Sequence, residues 1–301
     1  MPNKFDPGFG QKYAHNTKRI INKDGTFNIT RKGIRNQQFQ TLVDMPGTRF
    51  VALVSAFYIL VNILFAFIYM ILGAEHIIFI NSYHLPDFLK SFFFSMHTFT
   101  TVGFGSIYPQ DPLTNFVAGM EAMLGWLFFA IATGMVYRRF SRPSARLLFS
   151  NNALISPHKN GEALMFRIVN RRPNVLMEMD ARVMLAVDMD EGVRVNRRYF
   201  NLKLDTSSIH FFPLSWTIVH SIDEDSPLYK LTAEDYIHKR IEVLILIKGF
   251  DETFSQNVHL RYSYTYDEIV WNARFIRNFK SLDTGQIELD IDSVHNYETL
   301  S

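Results

Sequence analysis

The sequence predicts a membrane α-helical domain of two spans with a half-length helix between them, followed by a cytoplasmic antiparallel β-sandwich. Three observations carry this. Residues 50–72 are 23 positions without a charge, and residues 116–136 form a second apolar run. Between them, residues 88–100 are apolar and aromatic but too short to cross a bilayer, whose core of about 30 Å needs about 20 helical residues. From about residue 143 the composition changes to short β-branched and aromatic segments separated by turn residues.

The first span has one strongly polar residue, Asn62, which is expected to face protein or an interface rather than lipid. In the second, Gly119, Gly125 and Gly134 permit close helix approach or bending. Leu113–Asn115 are expected to begin the same helix. Glu121 is an ionisable residue about one turn inside this run. Such a residue is costly unless it faces a cavity, so Glu121 is a pore-lining candidate; the bland reading is a carboxylate at headgroup level. A half-length apolar helix between two spans reads as a re-entrant segment, since irregular backbone at membrane depth is tolerated where it is buried in protein or lines an aqueous path.

Ahead of the spans, residues 1–36 read as a polar tail with a short strand at 27–30. Apolar Phe39, Leu42, Val43 and Met45 suit an amphipathic surface helix over 37–48, stopped by Pro46-Gly47; a connector without membrane contact is the alternative. No secretory leader is visible. Residues 1–49 hold nine Lys/Arg, residues 73–112 only Lys90, and residues 138–146 hold Arg138, Arg139, Arg142 and Arg146. The positive-inside rule then puts both termini in the cytoplasm and the 73–112 loop outside, in a multi-pass protein of the inner (plasma) membrane. The expected organisation is an N-terminal segment and surface helix over 1–49, a membrane domain over 50–142 and a β-sandwich over 143–301. Strands are expected at 163–169, 181–187, 216–220 and 242–247, with turns at 159–161, 188–192, 223–227 and 284–285.

Composition excludes several classes. There is no Cys, so no disulfide, thiol catalysis or Cys-ligated zinc. A net charge of +2 implies no nucleic-acid partner. The ten His show no zinc spacing, and no nucleophile motif or phosphate loop stands out, so an enzyme is not expected. Asp223-Glu224-Asp225 lacks the calcium-loop pattern and reads as a solvated turn.

Thr100-Thr101-Val102-Gly103-Phe104-Gly105 directly follows the half-helix. It is close to the Thr-Val-Gly-Tyr-Gly loop of potassium filters. Dehydrating K+ requires many oxygens at once, and four copies of an extended strand with carbonyls turned inward supply them in rings. Gly103 and Gly105 reach backbone angles closed to other residues. Thr101 would add a hydroxyl ring, while Val102 and Phe104 would point outward and brace the loop. The expected site is thus K+ ions held by Thr101, Val102, Gly103 and Phe104 within filter residues 101–105, with no organic cofactor. One chain supplies a quarter of each ring, so a homotetramer is required.

At this point the chain resembles the inward-rectifier potassium channels, most closely their prokaryotic KirBac members. The resemblance runs over nearly the whole chain. It rests on Asn28-Ile29-Thr30-Arg31, Arg139-Phe140-Ser141-Arg142-Pro143, Leu148-Phe149-Ser150, Ser215-Trp216-Thr217, the run from His220 to Tyr229, and Asp267-Glu268-Ile269-Val270-Trp271. It implies an interfacial slide helix, an outer helix, a pore helix, an inner helix and an immunoglobulin-like domain that extends the pore. It places Phe129 and Tyr137 where the path constricts, as rings of an apolar gate, lipid-facing or intersubunit packing being the alternative. Arg139, Arg142 and Arg172 match positions that contact anionic lipid headgroups, although positive-inside retention alone would also keep such residues. Glu178 aligns with a pore-lining acidic position, or is simply a solvated strand carboxylate. Phe129, Lys248 and Ser208 stand where strongly rectifying relatives are acidic, so block by Mg2+ or polyamines, and hence rectification, is expected to be weak. His97 and Ile107 replace a Glu and an Arg that brace the filter in animal relatives, and Phe104 replaces the usual Tyr. His97 reads as a packing histidine rather than a proton sensor. Two rivals remain: a less selective cation channel, and a non-conducting membrane-anchored sensor.

Overall fold

A computed structural model describes residues 8–9, 19–30, 32–33, 41–43, 45–80, 85–140, 146–190 and 195–300. The chain divides into two compact units, Gly33–Arg142, and Met1–Lys32 with Pro143–Ser301.

The first unit is three helices, α1 (Gly47–Leu72), α2 (Asp87–Phe99) and α3 (Pro112–Phe140). α1 and α3 are each long and apolar enough to cross a bilayer. Their outward faces leave Leu60 65%, Ile71 85% and Ile131 61% exposed, which suits contact with lipid tails. Phe65, Ala66 and Tyr69 form the buried face of α1. The chain has left the helical conformation by Met45, in keeping with the expected stop, and Pro46 then serves as the N-cap of α1, where its missing N–H costs nothing. Residues 41–43 are helical, and the remainder of the expected 37–48 helix ahead of them lies outside the described residues. α3 begins at Pro112, with the Asp111 carboxylate accepting the N–H groups of Leu113 (3.0 Å) and Thr114 (3.1 Å) as an N-cap. β1 (Ile77–Phe79) pairs with β2 (Ile107–Pro109), tying the chain before α2 to the chain after the filter-like loop.

The second unit is two five-stranded sheets, built from β3 (Leu147–Phe149), β4 (Ala153–His158), β5 (Gly161–Asn170), β6 (Leu176–Asp190), β7 (Val195–Leu202), β8 (Ser208–Phe211), β9 (Ser215–Ile222), β10 (Glu242–Asp251), β11 (Gln256–Thr265) and β12 (Ile269–Trp271). One sheet runs β11-β10-β6-β7 with β8 also on β6; the other runs β12-β4-β5-β3 with β9 also on β5. Inward alternation along the strands makes the core: Leu164, Phe166 and Ile168 of β5 meet Val183, Leu185, Val243, Ile245 and Ile247. Phe149 stacks on Tyr262 with ring centroids 4.4 Å apart. All four expected strands lie within these elements. Two further hairpins close the chain, β13 (Ala273–Phe275) with β16 (Tyr297–Thr299), and β14 (Phe279–Ser281) with β15 (Ile287–Leu289).

The strand expected at 27–30 is not formed. Residues 19–28 fold back as a turn with a single Ile21–Phe27 bridge and dock on the sandwich. The Glu242 carboxylate accepts the Ile20 N–H at 2.8 Å and the Arg197 guanidinium at 3.0 Å. Burial pushes the Glu242 carboxyl above its usual range, against the pull of the Ile20 N–H and Arg197. The Arg19 guanidinium bonds Glu268 and the Ser263 carbonyl.

The turn at 223–227 hangs on a buried histidine. His220 Nδ1 lies 2.7 Å from the Lys203 carbonyl, which can only accept, so Nδ1 carries the proton and Nε2 accepts the Ser226 hydroxyl at 2.8 Å. Burial lowers the His220 pKa from its usual 6.5. The fold therefore favours neutral imidazole: this stability is complete above the unfolded pKa and declines as pH falls below it. Thermal unfolding of the full chain at pH 7 and pH 5 should reveal a drop that is smaller in His220→Gln. An equal drop in both would show that His220 does not carry it.

Candidate ion-conduction site

α2 ends at Phe99, and the chain continues as the extended loop expected to bind ions. Its entry is pinned to the last turn of α2. The Thr100 hydroxyl donates to the Met96 carbonyl at 2.6 Å. The N–H groups of Thr101 and Val102 donate to the Thr98 (3.0 Å) and His97 (3.1 Å) carbonyls. The negative end of the α2 dipole thus adjoins the loop, a favourable place for a cation.

Along the loop, positive φ recurs at every second residue: Thr101 at 56°, Gly103 at 53° and Gly105 at 77°. A regular strand turns successive carbonyls to opposite sides. Alternating left-handed angles bring them to one side, the arrangement that a row of oxygen rings requires. Two of the three positions are glycine, where this geometry carries no Cβ penalty. Thr101 bears that strain itself. Val102 and Phe104 are exposed on the single chain, at 49% and 74%. Phe104 meets the His97 ring edge-to-face at 5.1 Å. His97 is thus a packing partner of the filter-like strand, a contact that its spacing in sequence did not signal. Ile107 packs against the apolar cluster of Phe65, Tyr69, Ile77 and Phe94, so no ion pair forms at this place.

Phe129 and Tyr137 lie on α3 and are 46% and 73% exposed. Phe129 also touches the Phe99 ring, with centroids 6.3 Å apart. Arg139 has a second task beside any lipid contact. Its guanidinium donates to the Leu42 (3.2 Å) and Met45 (2.6 Å) carbonyls and covers the Phe50 ring at 4.9 Å. It fastens the exit of α3 to the start of α1. Arg172 is half-buried on the sandwich, and Arg142 lies outside the described residues.

Glu178 is exposed at φ 50°, in a β-bulge where Glu178 and Met179 together face Gly249 across the sheet. A Cβ at Gly249 would meet the Met179 sulfur, so a larger residue opposite the bulge would make the buried Met179 side chain shift. The bulge re-aims the Glu178 carboxylate out of the normal alternation.

Glu121 is a correction. It was expected to line the pore, but it is completely buried inside the single chain. A group facing a path formed between copies would lie open on one subunit. Tyr69 of α1 donates to its Oε2 at 2.5 Å, and Ser95 of α2 is hydrogen-bonded to its Oε1. Glu121 sits behind the half-helix, not in front of it. Spacing could not show this, because one turn of α3 carries both the face toward α2 and the open face.

The comparisons agree with this architecture. A family model described as "Inward rectifier potassium channel C-terminal domain" matches residues 147–301, and one described as "Ion channel" matches residues 56–142. The chain is 35% identical over 292 residues to "Inward rectifier potassium channel Kirbac3.1" of Paramagnetospirillum magnetotacticum, covering 95% of this chain and 98% of that one. It is 27% identical over 310 residues to "G protein-activated inward rectifier potassium channel 4" of Bos taurus, covering 94% of this chain and 73% of that one, with the same figures for the Mus musculus protein. With both of its units matched and a relative aligned from end to end, the chain belongs to the inward rectifier potassium channel family, a family of membrane channels rather than enzymes.

Proposed function

We propose that four copies of this chain assemble around one axis and pass K+ through rings built by Thr101, Val102, Gly103 and Phe104. The observation that carries this is the recurrence of positive φ at Thr101, Gly103 and Gly105 in a loop anchored to the end of α2. Residues 50–142 form the pore domain, both termini are cytoplasmic in the plasma membrane, and the sandwich extends the path into the cytoplasm. Glu178 lines that extension. With Glu121 removed from the candidates, it is the one acidic pore residue left of the two, which makes block by Mg2+ or polyamines weak. Phe129 and Tyr137 form an apolar gate that stops ions by dewetting. Arg172, Arg142 and the N–H groups of Arg139 left over from its carbonyl contacts meet anionic headgroups. Each such charge gains about 1 kcal/mol near an anionic surface.

Uptake into liposomes tests this reading. Barium-sensitive K+ flux with little Na+ flux supports it. Equal Na+ flux favours the less selective channel, and absence of flux in every lipid favours the sensor. Replacing the gate rings should open the path: Tyr137→Ala is expected to raise basal K+ uptake several-fold without altering the preference for K+ over Na+. Unchanged uptake in both Tyr137→Ala and Phe129→Ala would remove these residues from the gate.

A further inference from the structure

Four side chains meet behind α2: Asn62 and Tyr69 from α1, Ser95 from α2 and Glu121 from α3. Asn62, Ser95 and Glu121 are fully buried, as is Tyr69. The Asn62 amide donates through Nδ2 to the Tyr58 carbonyl at 2.7 Å, which leaves Oδ1 as the atom toward Ser95. Ser95 Oγ lies 3.0 Å from that Oδ1 and is also hydrogen-bonded to Glu121 Oε1. A serine hydroxyl has one proton to give. If Ser95 gives it to Glu121, Asn62 Oδ1 is left without a protein donor in a buried position. If Glu121 is a protonated acid, every atom is satisfied: Glu121 donates to Ser95 Oγ, Ser95 donates to Asn62 Oδ1, and Tyr69 donates to Glu121 Oε2. No Lys, Arg or protonated His contacts the carboxyl among the described residues. The titratable groups facing it are Tyr69 and Tyr58 of α1; α2 presents Ser95, and α3 adds none.

We propose that Glu121 is a neutral carboxylic acid acting as the positioning residue of the filter. It joins α2 to both spans six residues before Thr101. It does so in a chain where His97 packs on Phe104 and Ile107 is held in an apolar cluster, so no Glu–Arg pair braces the filter at these two positions. The acid holds the end of α2, and through it the filter strand, at a fixed distance from the axis. This rests on the filter assignment above, which Gly103→Ala tests separately.

The experiment uses the full channel in liposomes. Glu121→Gln keeps one donor toward Ser95 and one acceptor for Tyr69, and should hold K+ uptake and K+ over Na+ preference within about twofold of the parent. Glu121→Ala should lower that preference at least tenfold, with Ser95→Ala intermediate. Difference infrared spectra should contain the carbonyl stretch of a protonated acid that disappears in Glu121→Gln. If Glu121→Ala fails to assemble, Ser95→Ala and the infrared band decide the matter. Unchanged selectivity in the alanine variants, equal damage from Gln and Ala, or absence of the acid band would each overturn the proposal.

Discussion

Gly103→Ala is expected to abolish K+ uptake while the tetramer still assembles. Gly103 sits at φ 53°, and a Cβ placed there meets nothing within 4 Å of its own chain. The penalty is therefore conformational rather than steric. An L-residue in the left-handed region costs roughly 1–2 kcal/mol. One ring contains four copies, so the native loop is disfavoured by roughly 4–8 kcal/mol in the assembly. That corresponds to about a thousandfold to a millionfold shift toward loops whose carbonyls no longer converge. Size-exclusion or crosslinking should report an intact tetramer, because the loop is a small part of the packed surface. Persisting barium-sensitive K+ flux in this variant would refute the filter.

Gly125→Ala is expected to do more, by damaging the fold of the membrane unit itself. A Cβ at Gly125 would lie 1.9 Å from the Phe99 carbonyl oxygen and 2.8 Å from its carbon. Carbon atoms in normal contact stand about 3.5–4.0 Å apart. Both obstructing atoms are backbone, so no side chain can swing aside, and the end of α2 must retreat together with the filter strand it anchors. Overpacking of this kind costs about 1–3 kcal/mol per site, occasionally more. Repetition in four subunits makes the total large against ordinary domain stability. The expected result is a lower yield of tetramer and, in what assembles, loss of K+ selectivity. Gly119→Ala and Gly134→Ala are the controls, since neither position has a neighbour within 4 Å in its chain. If Gly125→Ala matched those controls in yield and selectivity, the close approach of α3 to Phe99 would not exist in the membrane.

These expectations separate what is written locally from what is not. The two spans were legible because bilayer thickness imposes a length and an absence of charge that few other structures share. The β-sandwich was legible in four segments, where β-branched and aromatic residues crowd between turns. Polar strands such as β7 and β11 were not, because their tolerance of Arg, Asn and His comes from pairing with neighbours far along the chain. That Pro46 also opens the next helix was not legible for a similar reason. Proline ends one helix and begins another equally well, and only the following hydrogen bonds tell which.

By itself, the sequence determined the class of protein: its spans, its half-helix, and a glycine-bearing loop whose chemistry suits a dehydrated cation. Each of these follows from residue type at short range, through backbone freedom and transfer from water to lipid. Only the tertiary structure decided which way side chains on α3 face. It turned Glu121 inward onto Ser95 and Tyr69, chose Gly125 among three glycines as the one beneath Phe99, and committed Arg139 to the carbonyls of Leu42 and Met45. The reason is that a helix of 29 residues presents every direction to its surroundings. Which of those directions is lipid, neighbour or pore is a property of what packs beside it, and that is fixed by residues 20 to 100 positions away.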